Sequence, residues 1–160
     1  MASSRSQPRR LRGKRLVLVA SRFNDSITRS LVSGAIRTLE RRGVPPANIR
    51  TVWVPGAFEL PVAASCIASA LRPDAIVALG CVLKGQTPQY AAIGQAVAQG
   101  LAQVSVSARI PVTLGVIVAA SYAQARARAG GRAGNRGSEA ALAALDMVDF
   151  QRRLSRRSRQ

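Results

Sequence analysis

With 160 residues and 48% hydrophobic content, the chain is long enough for one domain around a single core, and with only 4% aromatic residues that core must be aliphatic. A net charge of +17 without a single histidine excludes imidazole-based proton transfer and histidine metal ligation. No apolar run reaches the roughly 20 residues that a membrane span requires.

The charge is uneven. Residues 1–15 hold six bases, residues 151–160 hold five, and neither end has an acid, which leaves a middle of net charge +6. Residues 1–14 therefore read as a basic, disordered arm, 15–150 as the folded domain and 151–160 as an arginine-rich tail. The apolar segment behind the first bases, LVLVA, is strand-sized and too short for a secretory signal. Cys66 and Cys81 lie in apolar runs without CxxC spacing, so both read as buried thiols in a reducing cytoplasm, with no zinc site.

In chain order, Arg15–Ala20 is a β-branched strand, followed by SRFND, where Asp25 or Ser26 can cap a helix. Ile27, Leu31, Ala35, Ile36 and Leu39 recur at helical spacing until Gly43 stops the helix. Asn48–Val54 reads as a second strand closed by Pro55-Gly56, and Glu59–Leu71 as a helix with Pro61 in its first turn. Ala75–Val82 is a near-continuous apolar run, the mark of a parallel strand covered on both faces. A third helix runs from Thr87-Pro88 to Ala108, Pro111–Val118 is a fourth strand, and helices follow at Ser121–Ala129 and Ser138–Leu154. Strands separated by helices predict right-handed crossovers and a three-layer α/β/α sandwich, with a four-stranded parallel sheet in the order 2-1-3-4.

Ligands of such folds bind beyond the carboxyl ends of the strands. The loops SRFN, PGAFE and KGQT follow the first three strands, and a glycine- and arginine-rich segment, RAGGRAGNRGSE, follows the fourth helix. Their clustering predicts one site. KGQT at a helix start offers backbone amides and a hydroxyl to a phosphate.

VPGAFELP (54–61), ALGCVLKGQTPQ (78–89) and RAGGRAGNRGSE (128–139) resemble the active-site segments of 6,7-dimethyl-8-ribityllumazine synthases, a likeness running from Arg15 to Phe150. The resemblance implies a flavodoxin-like fold and a transferase of riboflavin biosynthesis that needs no cofactor. It would condense 5-amino-6-(D-ribitylamino)uracil with 3,4-dihydroxy-2-butanone 4-phosphate. It further implies a homopentamer or a 60-subunit icosahedral shell, with sites shared between neighbours. Phe23 matches the aromatic that stacks on the pyrimidine, against the plainer reading of a core phenylalanine. Gly56, Ala57, Phe58 and Glu59 match the turn that binds pyrimidine and ribityl chain, although Glu59 also suits a helix cap. Val82 and Leu83 match backbone contacts to the pyrimidine edge, and Gly85, Gln86 and Thr87 the phosphate loop. Arg128 matches the arginine that pairs with that phosphate from the adjoining subunit, against the common fate of a solvated arginine. Arg136 and Glu139 match positions of the same region.

The chain departs from the pattern at the point of chemistry. Gln89 stands where the family carries histidine, Ala91-Ala92 where acidic and aromatic residues follow it, and Leu114 where phenylalanine faces the pyrimidine. An amide neither takes nor gives a proton near neutrality, and a lost general base costs about 10²–10⁴-fold. The main alternative is a weakly active or non-enzymatic cage of the same fold that binds nucleic acid through its basic tails. A flavin carrier of flavodoxin type is disfavoured, because SRFND is not a Ser/Thr-rich phosphate loop.

Overall fold

The protein's structure, a computed structural model, describes residues 13–158. The arm reading for 1–14 therefore lies almost wholly outside the described residues, as does Arg159.

The apolar runs form strands β1 (Leu16–Ser21), β2 (Ile49–Val54), β3 (Ala75–Leu83) and β4 (Val112–Ala119), ordered β2-β1-β3-β4 with every pair parallel. All six residues of β1 are buried, and β3 is buried for eight of its nine, so the two central strands are covered on both faces. Alternation divides them between two cores. Leu16, Leu18, Ala20, Val77 and Leu79 pack with helices α1 (Asp25–Arg41) and α5 (Arg136–Arg157). Val17, Val19, Ile76 and Ala78 pack with α2 (Leu60–Leu71) and α3 (Gln89–Ala108). Each fully buried Leu, Ile or Val side chain contributes roughly 1.5–3 kcal/mol, so both layers hold the sheet strongly.

A short helix α4 (Tyr122–Arg128) leads into a hairpin of β5 (Ala129–Gly131) and β6 (Gly134–Asn135), which the sequence gives only as a turn. Gly134 has φ 85°, a conformation that favours glycine. Asn135 then secures the start of α5. Its Oδ1 accepts the Ser138 N–H at 3.0 Å, and its Nδ2 donates to the Ser30 carbonyl of α1 at 3.0 Å.

Several boundaries differ from the sequence expectation. The N-cap of α1 is Asn24, not Asp25 or Ser26, and it caps without a side-chain hydrogen bond because its amide is used elsewhere. Helix α5 continues three residues past Leu154, so Arg152, Arg153, Arg156 and Arg157 of the expected tail are helical. Cys66 is exposed, contrary to the expected buried thiol. The inward face of α2 is Leu60, Ala64, Ile67 and Ala68, and Cys66 falls on the other side of the helix.

Gly137 sits where α5 crosses α1 so closely that a Cβ would lie 2.2 Å from the Leu31 carbonyl oxygen. Backbone cannot yield as a flexible side chain would. Gly137→Ala is expected to lower the stability by about 1–3 kcal/mol, the usual range for overpacking, as read from urea unfolding. The same change at Gly85, where nothing lies within 4 Å, should have little effect.

Candidate active site

The parallel sheet brings the carboxyl ends of β1, β2 and β3 to one pole, and their loops are tied together there. The ladder continues past the strands, with Arg22 N–H donating to Val54 at 2.8 Å and Phe23 N–H to Pro55 at 3.0 Å. Asn24, in the left-handed conformation at φ 59°, turns its Nδ2 onto the Cys81 carbonyl of β3 at 2.8 Å. One asparagine thereby joins the first loop to the third strand.

These loops enclose a cleft of about 350 Å³. Its walls include Phe23 from the first loop, Gly56–Glu59 from the second, and Val82, Leu83, Gly85, Thr87 and Gln89 from the third. Phe23 is 73% exposed, which rules out the core reading within this chain and leaves its ring face free. The Glu59 carboxylate accepts the Gly56 N–H at 2.9 Å, so it does serve as a cap while also lining the cleft. Gln89 begins α3, so the phosphate-loop candidates lead directly into a helix N-terminus.

The expected site is not wholly assembled. Gln86 is exposed and does not line the cleft, because the turn presents Gly85 and Thr87 inward. Leu114 does not line it either: it lies on the edge strand β4, early in its course, 37% exposed. Arg128, Arg136 and Glu139 form a separate cluster beyond β4. Glu139 is 3.0 Å from Arg136 and 3.5 Å from Arg128. Arg128 and Arg136 line a second cavity of about 300 Å³ against Val116–Ala119. Among the described residues, no lysine or arginine lines the cleft that holds Phe23 and Thr87. A larger groove of about 920 Å³ between α2 and α3 carries, among the described residues, one charged residue, Arg72, and no constellation for chemistry.

The profile of the 6,7-dimethyl-8-ribityllumazine synthase family matches residues 13–152. The chain belongs to this family. It is 44% identical over 144 residues to the 6,7-dimethyl-8-ribityllumazine synthase of Halorhodospira halophila, covering 90% of this chain and 92% of that protein. It is 46% identical over 149 residues to the enzyme of the same name from Gemmatimonas aurantiaca, covering 93% and 90%. The fold expected from the resemblance, a flavodoxin-like sandwich with strand order 2-1-3-4, is the one observed.

Of the cleft residues, Tyr90 and Ile93 escaped the sequence reading, and Asn24 and Cys81, within the loop SRFN and the segment 78–89, were given no role there. Tyr90 and Ile93 follow Gln89 by one and four positions on α3, a spacing that could have placed Ile93 on the same face. Asn24 carried the weaker signal of an asparagine between strand and helix, a residue type that tolerates the left-handed region. No group of three or more potential metal ligands occurs among the described residues. No described helix is long and apolar enough to cross a membrane.

Burial pushes the Cys81 thiol up to about 11, so it stays uncharged at pH 8 and is a poor nucleophile. Iodoacetamide at pH 8 should leave Cys81 unmodified in the folded protein and alkylate it after denaturation, as peptide mass spectrometry would show. Rapid labelling of Cys81 in the native state would mean that the cleft floor opens.

Proposed function

We propose that this chain is a 6,7-dimethyl-8-ribityllumazine synthase whose site is completed by a neighbouring copy and whose proton transfers are slow. The observation that carries the reading is the convergence of Phe23, Gly56–Glu59, Val82, Leu83 and Thr87 on one cleft, in a chain of this family.

The residues have distinct tasks in this reading. Phe23 stacks on the pyrimidine ring, and the Val82–Leu83 backbone meets its edge. Glu59, already held by the Gly56 amide, offers its remaining acceptor capacity to the ribityl hydroxyls. Gly85, Thr87 and the start of α3 receive the phosphate. The uracil's 5-amino group attacks the butanone carbonyl and forms an imine with loss of water. The phosphate leaves as inorganic phosphate, and ring closure expels a second water. Holding two reactants together supplies much of the acceleration such a condensation needs.

Gln89 limits the rest. Its amide can hydrogen-bond to the imine region but cannot carry its proton. Turnover should fall about 10²–10⁴-fold below that of a histidine-bearing relative. Gln89→His should raise kcat more than it changes KM, and add a pH-dependent limb near the ordinary histidine range of about 6.5. A wild-type rate equal to the relative's under the same conditions would remove Gln89 as the limitation.

A phosphate dianion in a cleft without a cation is poorly compensated. Arg128 and Arg136 lie across β4, on the same pole but in another cavity. A second copy placing its β4 edge over the first copy's cleft would supply both arginines and bring Leu114 to the pyrimidine. Exposed apolar side chains, Val62, Val106 and Val118 among them, are consistent with covered faces in a homopentamer or a 60-subunit shell. Arg128→Ala and Glu59→Ala should each lose most activity alone. Dissociated and reassembled together, they should recover a measurable fraction, because some shared sites then hold both native residues. No recovery in mixed assemblies of confirmed composition would place each site within one chain.

A further inference from the structure

The parallel sheet defines a second pole, where strands begin and helices end, and cations gather there. Lys14 and Arg15 precede β1, Arg72 precedes β3, and Arg109 caps α3 ahead of β4. Arg41 and Arg42 end α1, and α5 finishes with four arginines within its last two turns. The bland account is that cations at helix C-termini offset the macrodipole. One per helix would suffice for that, and α5 far exceeds it.

The arrangement is more than a solvated end. Arg152 and Arg156 are one helical turn apart, as are Arg153 and Arg157, so the arginines form two rows along one side of α5. Arg152, Ser155, Arg156 and Gln151 form one wall of a cleft of about 470 Å³, with Lys14 and Asp74 opposite. Asp74 offsets one of these charges, pairing with Lys14 Nζ at 2.5 Å while accepting the Arg15 N–H at 2.8 Å, and the arginines that remain keep the pole basic. Gln151 Nε2 donates to the Arg109 carbonyl at 2.9 Å, which fixes the end of α5 beside that of α3. Arg72, Arg109, Arg153, Arg156 and Arg157 are exposed or half-buried, and their guanidinium groups have no ion-pair partner among the described residues.

We propose that this pole, formed jointly by the end of α5 and the turns before β1, β3 and β4, binds the phosphodiester backbone of nucleic acid without reading its sequence. Guanidinium groups in rows beside a groove suit a chain of phosphates, and contacts of that kind position without specifying. None of the described side chains of the groove is aromatic, so base stacking would add nothing and single strands and duplexes would compete on charge. The proposal extends the arginine-rich tail to a folded surface and is independent of the catalytic reading.

The test uses the full-length protein, freed of co-purified nucleic acid, and a labelled single-stranded oligonucleotide of mixed sequence in fluorescence anisotropy. Affinity should drop about 100-fold between about 50 and about 200 mM salt, as expected for roughly five contacted phosphates. Replacing Arg153, Arg156 and Arg157 by Gln should reduce the log–log salt slope by about two. The pair Arg72→Gln and Arg109→Gln should reduce it by about one. The pair Arg126→Gln and Arg132→Gln, exposed on α4 and the hairpin at the opposite pole, removes the same charge elsewhere and should leave affinity within about twofold, a control for net charge. The circular dichroism spectrum and urea midpoint of the triple variant should match wild type, which separates loss of binding from loss of fold. Equal effects of the two pairs would overturn a defined pole, and sequence-dependent affinity would overturn backbone recognition. Binding to phosphatidylserine vesicles without binding to the oligonucleotide would assign the surface to membranes instead and overturn the proposal.

Discussion

Strands β1 and β3 are buried on both faces, and that double burial governs the remaining structure. A strand covered on both sides cannot be joined to a parallel neighbour by a tight turn, so each connection must cross over the sheet through a helix. Every crossover returns the chain in the same direction. All carboxyl ends of the strands therefore meet at one pole, and the C-termini of α1, α2, α3 and α5 at the other. The cleft and the basic surface are both consequences of this one rule, applied to loops of different composition.

Two asparagines convert the topology into a registered site. Asn24 fixes the first loop to β3, and Asn135 fixes the hairpin and the start of α5 to α1. A single such hydrogen bond contributes only about 0.5–1.5 kcal/mol net. Its value here is positional. Asn24 determines where the Phe23 ring stands relative to Val82, and Asn135 determines where Arg136 and Glu139 leave the last helix. Both residues take roles that helix propensity would not assign them, because short polar side chains compete well for backbone groups at helix starts.

The layer order, the strand pairing and most of the cleft were legible because they follow from periodicity and loop position. The near-continuous apolar run 75–82 could only be a central strand, and the three loops had to share one pole. What was not legible depends on direction within an element. Cys66 lies among apolar neighbours, yet the 3.6-residue repeat turns it away from Ile67 and Ala68. Gln86 is adjacent to two cleft residues and points out of the turn between them. Composition marked 151–160 only as an arginine-rich tail and ended the helix at Leu154, whereas helix already begun at Arg136 propagates through arginines at little cost per residue. Arg128 belongs to a cluster separated from the cleft by an edge strand, a separation that motif order alone conceals.

A basic surface and a cleft proposed to bind phosphate on one small domain raise the question of interference. The nine residues of β3 span about 30 Å at roughly 3.3 Å per residue, which approximates the distance between the poles. The Debye length at physiological ionic strength is about 8 Å, so the field of the arginines is largely screened before it reaches the cleft. A polyanion held at one end would neither occlude the loops nor appreciably shift the affinity for a phosphate at the other. The same distance deprives the cleft of help from those arginines. Among the described residues, Arg128 and Arg136 are the cations of its own pole that line a neighbouring cavity, beyond β4, and in the proposed reading the phosphate is compensated from that edge of a second copy.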